Sequence, residues 1–224
     1  MLKAISNILL IGSSAVLVAA IDTWGGACSL GPTSAHIIES TTTLVAGIPP
    51  PNQNGALFLW PGMSNGTGDL VQTTLESYAD NSWCGANKSE WCVRASVFGW
   101  FGQRDGPAGV VKGTDAFTMN YKLQTNKMTW TQTVTIDGKV VSTLDSDSGP
   151  YMKGWGTGTE CQDNCSGTVS AQKYTNTVII LDAADPDFSK TLSCSQGATA
   201  TGVTSEEGGK IWKIASIDVP AMVN

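Results

Sequence analysis

The chain has 224 residues, 41% hydrophobic and only 14% charged, with 13 basic residues against 19 acidic ones. That length suits one domain with a sizeable core. A formal net charge of −6 and the lack of a strong basic cluster exclude nucleic acid and anionic membrane surfaces as natural partners.

The chain opens on a targeting pattern. Lys3 supplies a positive start, residues 8–18 an apolar run, and Val18-Ala19-Ala20 a small-residue cleavage site. This reads as a secretory signal peptide over residues 1–20, too short to span a membrane, followed by one β-sandwich domain over residues 21–224. Losing Lys3 leaves 12 basic residues against 19 acidic, a net charge of −7. No later apolar run reaches transmembrane length. The expected product is secreted, extracellular and free of the membrane after signal removal.

All six cysteines follow the leader: Cys28, Cys84, Cys92, Cys161, Cys165 and Cys194. An even number in a secreted chain reads as three disulfides. Many pairings are possible; the short loops favour Cys84–Cys92 and Cys161–Cys165, which leaves Cys28–Cys194 to tie the ends. The cysteine spacings, the oxidising compartment and a single histidine, His36, argue against zinc, so neither metal nor cofactor is expected. Sequons at Asn65, Asn87 and Asn164 mark expected glycosylation on exposed loops and support a eukaryotic secretory route.

Short strands cut by Gly, Asn, Asp and Pro dominate the rest, with no heptad, repeat or long helical pattern. Candidate strands cover residues 36–45, 56–60, 69–77, 91–101, 116–123, 127–136, 139–144, 151–160, 169–181 and 210–218. Residues 46–55, with Pro49-Pro50-Pro51, read as a stiff extended connector, and residues 195–209 as a loop. Asp137-Gly138 is a two-residue hairpin signal, because both positions accept positive φ. Ten strands without helices give an all-β antiparallel sandwich of the jelly-roll or concanavalin-like kind. In residues 127–136, Met128, Trp130, Gln132, Val134 and Ile136 share the expected core face, and four threonines line the other.

Strand parity sorts the polar groups. Leu70, Gln72, Thr74 and Glu76 share one face of their strand; Arg94, Ser96, Phe98 and Trp100 share one face of theirs; Gly154, Gly156 and Gly158 share a face with Glu160. Faces of one curved sheet would form a groove with a glycine floor, aromatic walls and a few polar groups. Such a cleft suits an extended peptide or glycan. A groove carboxylate can move protons, whereas an amide can hold a water or donate to an oxyanion.

Several segments carry a resemblance in order along the chain. Thr23-Trp24-Gly25-Gly26-Ala27 resembles an Asn-Trp-Gly-Gly-Ala opening. Trp60-Pro61-Gly62-Met63 and Val71-Gln72-Thr73 resemble a Trp-Val-Gly-Ile-Asp-Gly segment and a Leu-Gln-Thr-Gly strand. A Trp-rich strand and the Asp137-Gly138-Lys139 hairpin follow, and the stretch from Trp155 to Glu160 occupies the place of Glu-Trp-Ile-Val-Glu. The chain thus resembles the glutamic peptidases, the eqolisin family of secreted fungal acid proteases.

The resemblance implies a two-sheet sandwich with a concave active face and a catalytic dyad: Glu160 activates a water, and Gln72 binds it and the oxyanion. Trp60, Glu76, Arg94, Phe98, Trp100 and Tyr174 are the expected substrate-binding residues. The motif departs from the family in that Trp155 stands five residues before Glu160 rather than three, and Thr74 replaces a glycine. A second reading is a polysaccharide lyase or other carbohydrate-active enzyme on the same scaffold, with Arg94 neutralising a uronate and Tyr174 as base or acid. A third is a non-catalytic relative that binds a glycan or small molecule. The expected protein is a monomer acting on an extended peptide or glycan.

Overall fold

The structure, a computed structural model, describes residues 22–66 and 68–223; the expected signal peptide lies outside them. The first strands are β1 Thr23–Trp24, β2 Ala27–Leu30, β3 Ile37–Val45, β4 Asn54–Ser64, β5 Leu70–Tyr78, β6 Glu90–Gly99, β7 Gly102–Asp105, β8 Gly109–Lys112 and β9 Ala116–Leu123. They are followed by β10 Trp130–Ile136, β11 Lys139–Ser146, β12 Gly154–Ser166, β13 Thr168–Val169, β14 Gln172–Leu181, β15 Ser193–Ser195, β16 Thr199–Glu206, β17 Ile211–Val219 and β18 Met222–Val223. Two single-turn helices, Ser82–Cys84 and Phe188–Thr191, are the helical segments among the described residues, and neither is long and apolar enough to cross a membrane.

Two antiparallel sheets form the sandwich. The first runs β15-β2-β12-β4-β5-β6-β7, with β1 added to β12 and β8 to β6; the second runs β11-β10-β9-β3-β14-β17-β16. Their inner faces enclose Trp91, Trp130, Trp155, Phe117 and the aliphatic side chains of β4, β5 and β6. Alternation drives this placement. In β10, Trp130, Gln132 and Val134 are buried while Thr131 and Thr133 are partly exposed. Asp137 and Gly138 take φ of 48° and 73° and close the β10–β11 hairpin, as a turn twisting with its strands requires.

Three expectations change. Met128 is half exposed and precedes β10 rather than sharing its core face. The strand ending in the candidate glutamate does not stop there: β12 continues through Cys161 to Ser166, so Glu160 sits mid-strand. Residues 195–209, read as a loop, contain the edge strand β16, paired along its length with β17. Being largely exposed on both faces, it carries no hydrophobic alternation to betray it.

Three disulfides brace the sandwich. Cys28–Cys194 joins the neighbouring strands β2 and β15, Cys84–Cys92 ties a single-turn helix to β6, and Cys161–Cys165 closes the irregular end of β12. Of the sequon asparagines, Asn87 and Asn164 are exposed and Asn65 is partly exposed in the β4–β5 loop.

A buried carboxylate pins the segment before β3. Asp185, 6% exposed, accepts hydrogen bonds from Thr33 Oγ1 and the Ser34 amide, both at 2.7 Å. Burial alone would raise its pKa, but these bonds prevail and hold it below its ordinary value of 3.8. Its stabilisation is therefore complete above that ordinary value and fades as pH falls through the lower folded one. Asp185→Asn should lower stability at neutral pH by about 1–3 kcal/mol. The gap from wild type should shrink as the medium is acidified, read as melting temperature against pH.

Candidate active site

Strand β4 organises the outer face of the first sheet. Across it, Phe58 pairs with Glu160 of β12 and Glu76 of β5, Trp60 with Gly158, and Gly62 with Gly156 and Gln72. On the far side of β5, Gln72 pairs with Ser96 and Thr74 with Arg94 of β6. Paired residues point the same way, so the parity reading holds and Gln72 and Glu160 share the outer face. Their backbones lie four residues apart along β4, roughly 13 Å at the usual strand rise, so two long side chains are needed to meet.

They line one small pocket of about 30 Å³, together with Phe58, Trp60, Thr74, Gln103 and Gln162. That volume suits about one water molecule. The Glu160 carboxylate is oriented at both oxygens: Trp60 Nε1 donates to Oε2 at 3.1 Å and Gln162 Nε2 to Oε1 at 2.6 Å. Gln72 is 5% exposed, and among the described residues no protein group is hydrogen-bonded to its amide. A side-chain amide without a protein partner that lines a water-sized space is placed to bind a water there.

Gly158 explains the position of Trp60. A Cβ there would lie 2.3 Å from the Trp60 ring, so the indole rests directly on the glycine backbone. This seat brings Nε1 to the Glu160 carboxylate.

Other expected site residues have different duties. Glu76 is fully buried and accepts from Thr74 Oγ1 at 2.6 Å, Tyr78 OH at 3.1 Å, and Arg94 Nε and Nη2 at 3.0 and 2.8 Å. Arg94 also pairs with Asp105 at 2.9 Å and lies 4.7 Å from the Trp83 ring centroid. Both charges are committed within the protein, which removes Glu76 as a substrate ligand and Arg94 as a uronate clamp. Tyr174 is wholly buried on the inner face of β14, with its hydroxyl toward Gln172, and burial pushes its phenol pKa up. It cannot reach the groove, because alternation along a strand does not say which face meets the other sheet. Phe98 lies half exposed on the outer face, whereas Trp100 stands in solvent beyond the β6 end. His36 pairs with Asp182 at 3.2 Å, at the start of β3.

Sequence reasoning missed Trp24, Gln103 and Gln162. Trp24 pairs with Glu160 across β1 and β12 and is half exposed at the groove edge; its Trp-Gly-Gly-Ala setting was the signal. Gln162 follows Glu160 by two residues on one face. Gln103 arrives through the β6–β7 hairpin, which no local pattern announces. A pocket of about 560 Å³ lies near Pro50, Tyr78, Asp80 and Lys88, away from the Gln72–Glu160 pair.

No family model and no curated protein matches the sequence. Solved structures do match. Scytalido-glutamic peptidase, solved with a transition state analog inhibitor, superposes with a TM-score of 0.59 at 14% identity over 91% of this chain and 100% of its own. The chain has the glutamic peptidase fold. SCP-B, a member of the eqolisin family solved with the tripeptide Ala-Ile-His, aligns over the same shares with a TM-score of 0.53 at 13% identity. The glutamic peptidase fold is thus reached here with little sequence in common.

Trp60→Phe keeps a ring on Gly158 and removes one donor to Glu160; stability should fall by less than about 1.5 kcal/mol. Gly158→Ala should expel the indole, cost about 1–3 kcal/mol and change the near-ultraviolet circular dichroism. Arg94→Ala leaves Glu76 buried without its cation and should cost about 3 kcal/mol in denaturant unfolding.

Proposed function

We propose that the protein is a secreted, monomeric hydrolase of glutamic-peptidase type that cleaves extended peptides, with Glu160 and Gln72 as its catalytic pair. The observation that carries this reading is their convergence on one water-sized pocket of an outer sheet face. The shared fold supports it.

In the proposed reaction, Glu160 takes a proton from the pocket water as its oxygen attacks the scissile carbonyl carbon. The carbonyl electron pair moves onto oxygen, and the Gln72 amide donates to that oxyanion. Glu160 returns the proton to the amide nitrogen, the C–N bond breaks, and an acid and an amine leave. Trp60 and Gln162 keep the carboxylate aimed throughout, and the pocket's size admits water rather than a larger nucleophile. The lyase reading loses support, since Arg94 is paired and Tyr174 lies in the core.

The test is digestion of a denatured protein at about pH 3, beside a uronide depolymerisation assay at about pH 6. Wild type should release peptides. Glu160→Gln should lose roughly 10³-fold in kcat/KM, and Gln72→Ala roughly 10²–10³-fold. Undiminished cleavage by Glu160→Gln, or unsaturated uronides in place of peptides, would reject the reading.

A further inference from the structure

The pocket of about 560 Å³ lies between the connector into β4 and the loop that follows β5. Its volume falls within the range of about 300–1,000 Å³ usual for small-ligand sites. Pro50, Pro51 and Tyr78 give it ring surfaces, and Asn52, Gln53 and Asn87 give it amides. Its two charged side chains, Asp80 and Lys88, are of opposite sign. Asp80 is already engaged, accepting from the Ser82 amide and hydroxyl at 2.9 and 3.0 Å. Side-chain amides both donate and accept, as sugar hydroxyls do, and ring surfaces suit the C–H faces of a pyranose.

One wall offers an acceptor. Gln53 is 7% exposed; its Nε2 donates to the Asn54 carbonyl, while its Oε1 has no hydrogen-bond partner among the described residues. A buried acceptor left open is costly unless something donates to it. Another wall is a sequon. Asn87 Oδ1 accepts from the Ser89 amide at 2.9 Å and the Ser89 hydroxyl at 2.7 Å. The carbonyl is thus turned into its own loop. The planar amide directs Nδ2, the atom that carries an N-linked sugar, the other way. The loop is held in place. Asn81 accepts from the Tyr78 amide at 2.8 Å and donates to the Glu90 carbonyl at 3.1 Å, and the Cys84–Cys92 bridge spans Asn87. A lining fixed in advance loses little entropy when it is filled.

We propose that this pocket seats the first sugars of an N-linked glycan on Asn87, so that the glycan braces the β5–β6 loop against the connector into β4. The ligand is a neutral N-acetylglucosamine unit. Its hydroxyls and acetamido group meet the Asn52 and Gln53 amides and supply the donor that Gln53 Oε1 lacks. Since Asn87 is itself a wall, the sugar is tethered where it binds, at an effective concentration of roughly millimolar or more. Weak contacts then suffice to keep it seated. The inference is independent of the peptidase chemistry but rests on the secretory reading, because such sugars are added on that route.

The test uses wild type, Ser89→Ala and Ser89→Thr, each made behind its own leader in a secreting eukaryotic host. The same chains from a bacterial periplasm, which adds no such glycan, are the controls. Ser89 is exposed; alanine there ends the sequon and threonine keeps it. Glycopeptide mass spectrometry should find hexosamine on Asn87 in eukaryotic wild type and Ser89→Thr, and none in Ser89→Ala. Those two should melt about 2–4 °C above Ser89→Ala, and the gap should shrink in the bacterial proteins, which lack only the hydroxyl. In a second arm, free N,N′-diacetylchitobiose is titrated into wild type from both hosts, following indole fluorescence, since Trp83 lies 6.2 Å from Tyr78. The bacterial protein should bind it at least about tenfold more tightly than the glycosylated one, whose seat is filled. This arm needs no variant, so it stands if one misfolds. Equal binding by both forms overturns the chain's own glycan as occupant and leaves a site for free sugar. Binding by neither, or equal melting of all three eukaryotic chains, overturns the proposal. Retention of an unglycosylated protein inside the cell overturns it together with the secretory reading; secretion without sugar on Asn87 overturns it alone.

Discussion

The antiparallel register of β4 with β5 and β12 is the constraint on which the site depends. Side chains alternate with a period of two, so a slip of one residue would turn Gln72 and Glu160 into the core and bring Val71 and Thr159 out. The register is held from the other side of the sheet. Leu57, Leu59, Met63, Val71 and Leu75 are all buried against the opposing sheet, and exposing them together would cost far more than any outer-face contact could return. The hydrophobic core thus positions two polar side chains that it never touches.

The outer face of the first sheet is itself unusual in being partly closed. Every interior residue of β5 is buried, on both faces. Glu76 tolerates this because four donor groups converge on its two oxygens, including a two-pronged contact from Arg94. Burial and the neighbouring carboxylate push the Tyr78 phenol up, so it remains a donor to Glu76. The Cys84–Cys92 bridge holds Trp83 near the same guanidinium. A buried ion pair of this kind is weak evidence for net stability, since desolvation offsets much of the attraction. Its structural effect is plainer: it joins β5, β6 and β7 side by side, and β7 brings Gln103 to the pocket lined by Gln72 and Glu160.

Glycine shapes the outer face of the first sheet by subtraction, in two senses. At Gly158 the missing side chain seats Trp60, and Trp60 in turn aims Glu160. At Gly154 it leaves open volume that the protein does not fill. Between these positions the groove widens from about 30 Å³ to about 320 Å³, over only a few residues of β12.

The amino-acid sequence by itself determined the all-β class, most strand positions, the Asp137-Gly138 turn and the common face of Gln72 and Glu160. These follow from local rules: periodicity of two, turn residues that accept positive φ, and apolar alternation against one core. Tertiary structure decided what local rules leave open. Parity divides a strand into two faces but does not say which one meets the other sheet, so Tyr174 went inward while Gln72 went outward. Charge in a sequence has no partner until strands pair, so Glu76 and Arg94 became each other's ligands rather than a substrate's. An exposed edge strand lacks alternation, which hid β16, and a side chain delivered by a hairpin, as Gln103 is, has no signature along the chain. Only the paired strands brought Trp60 and Glu160 within hydrogen-bonding distance, because that contact depends on register between segments a hundred residues apart.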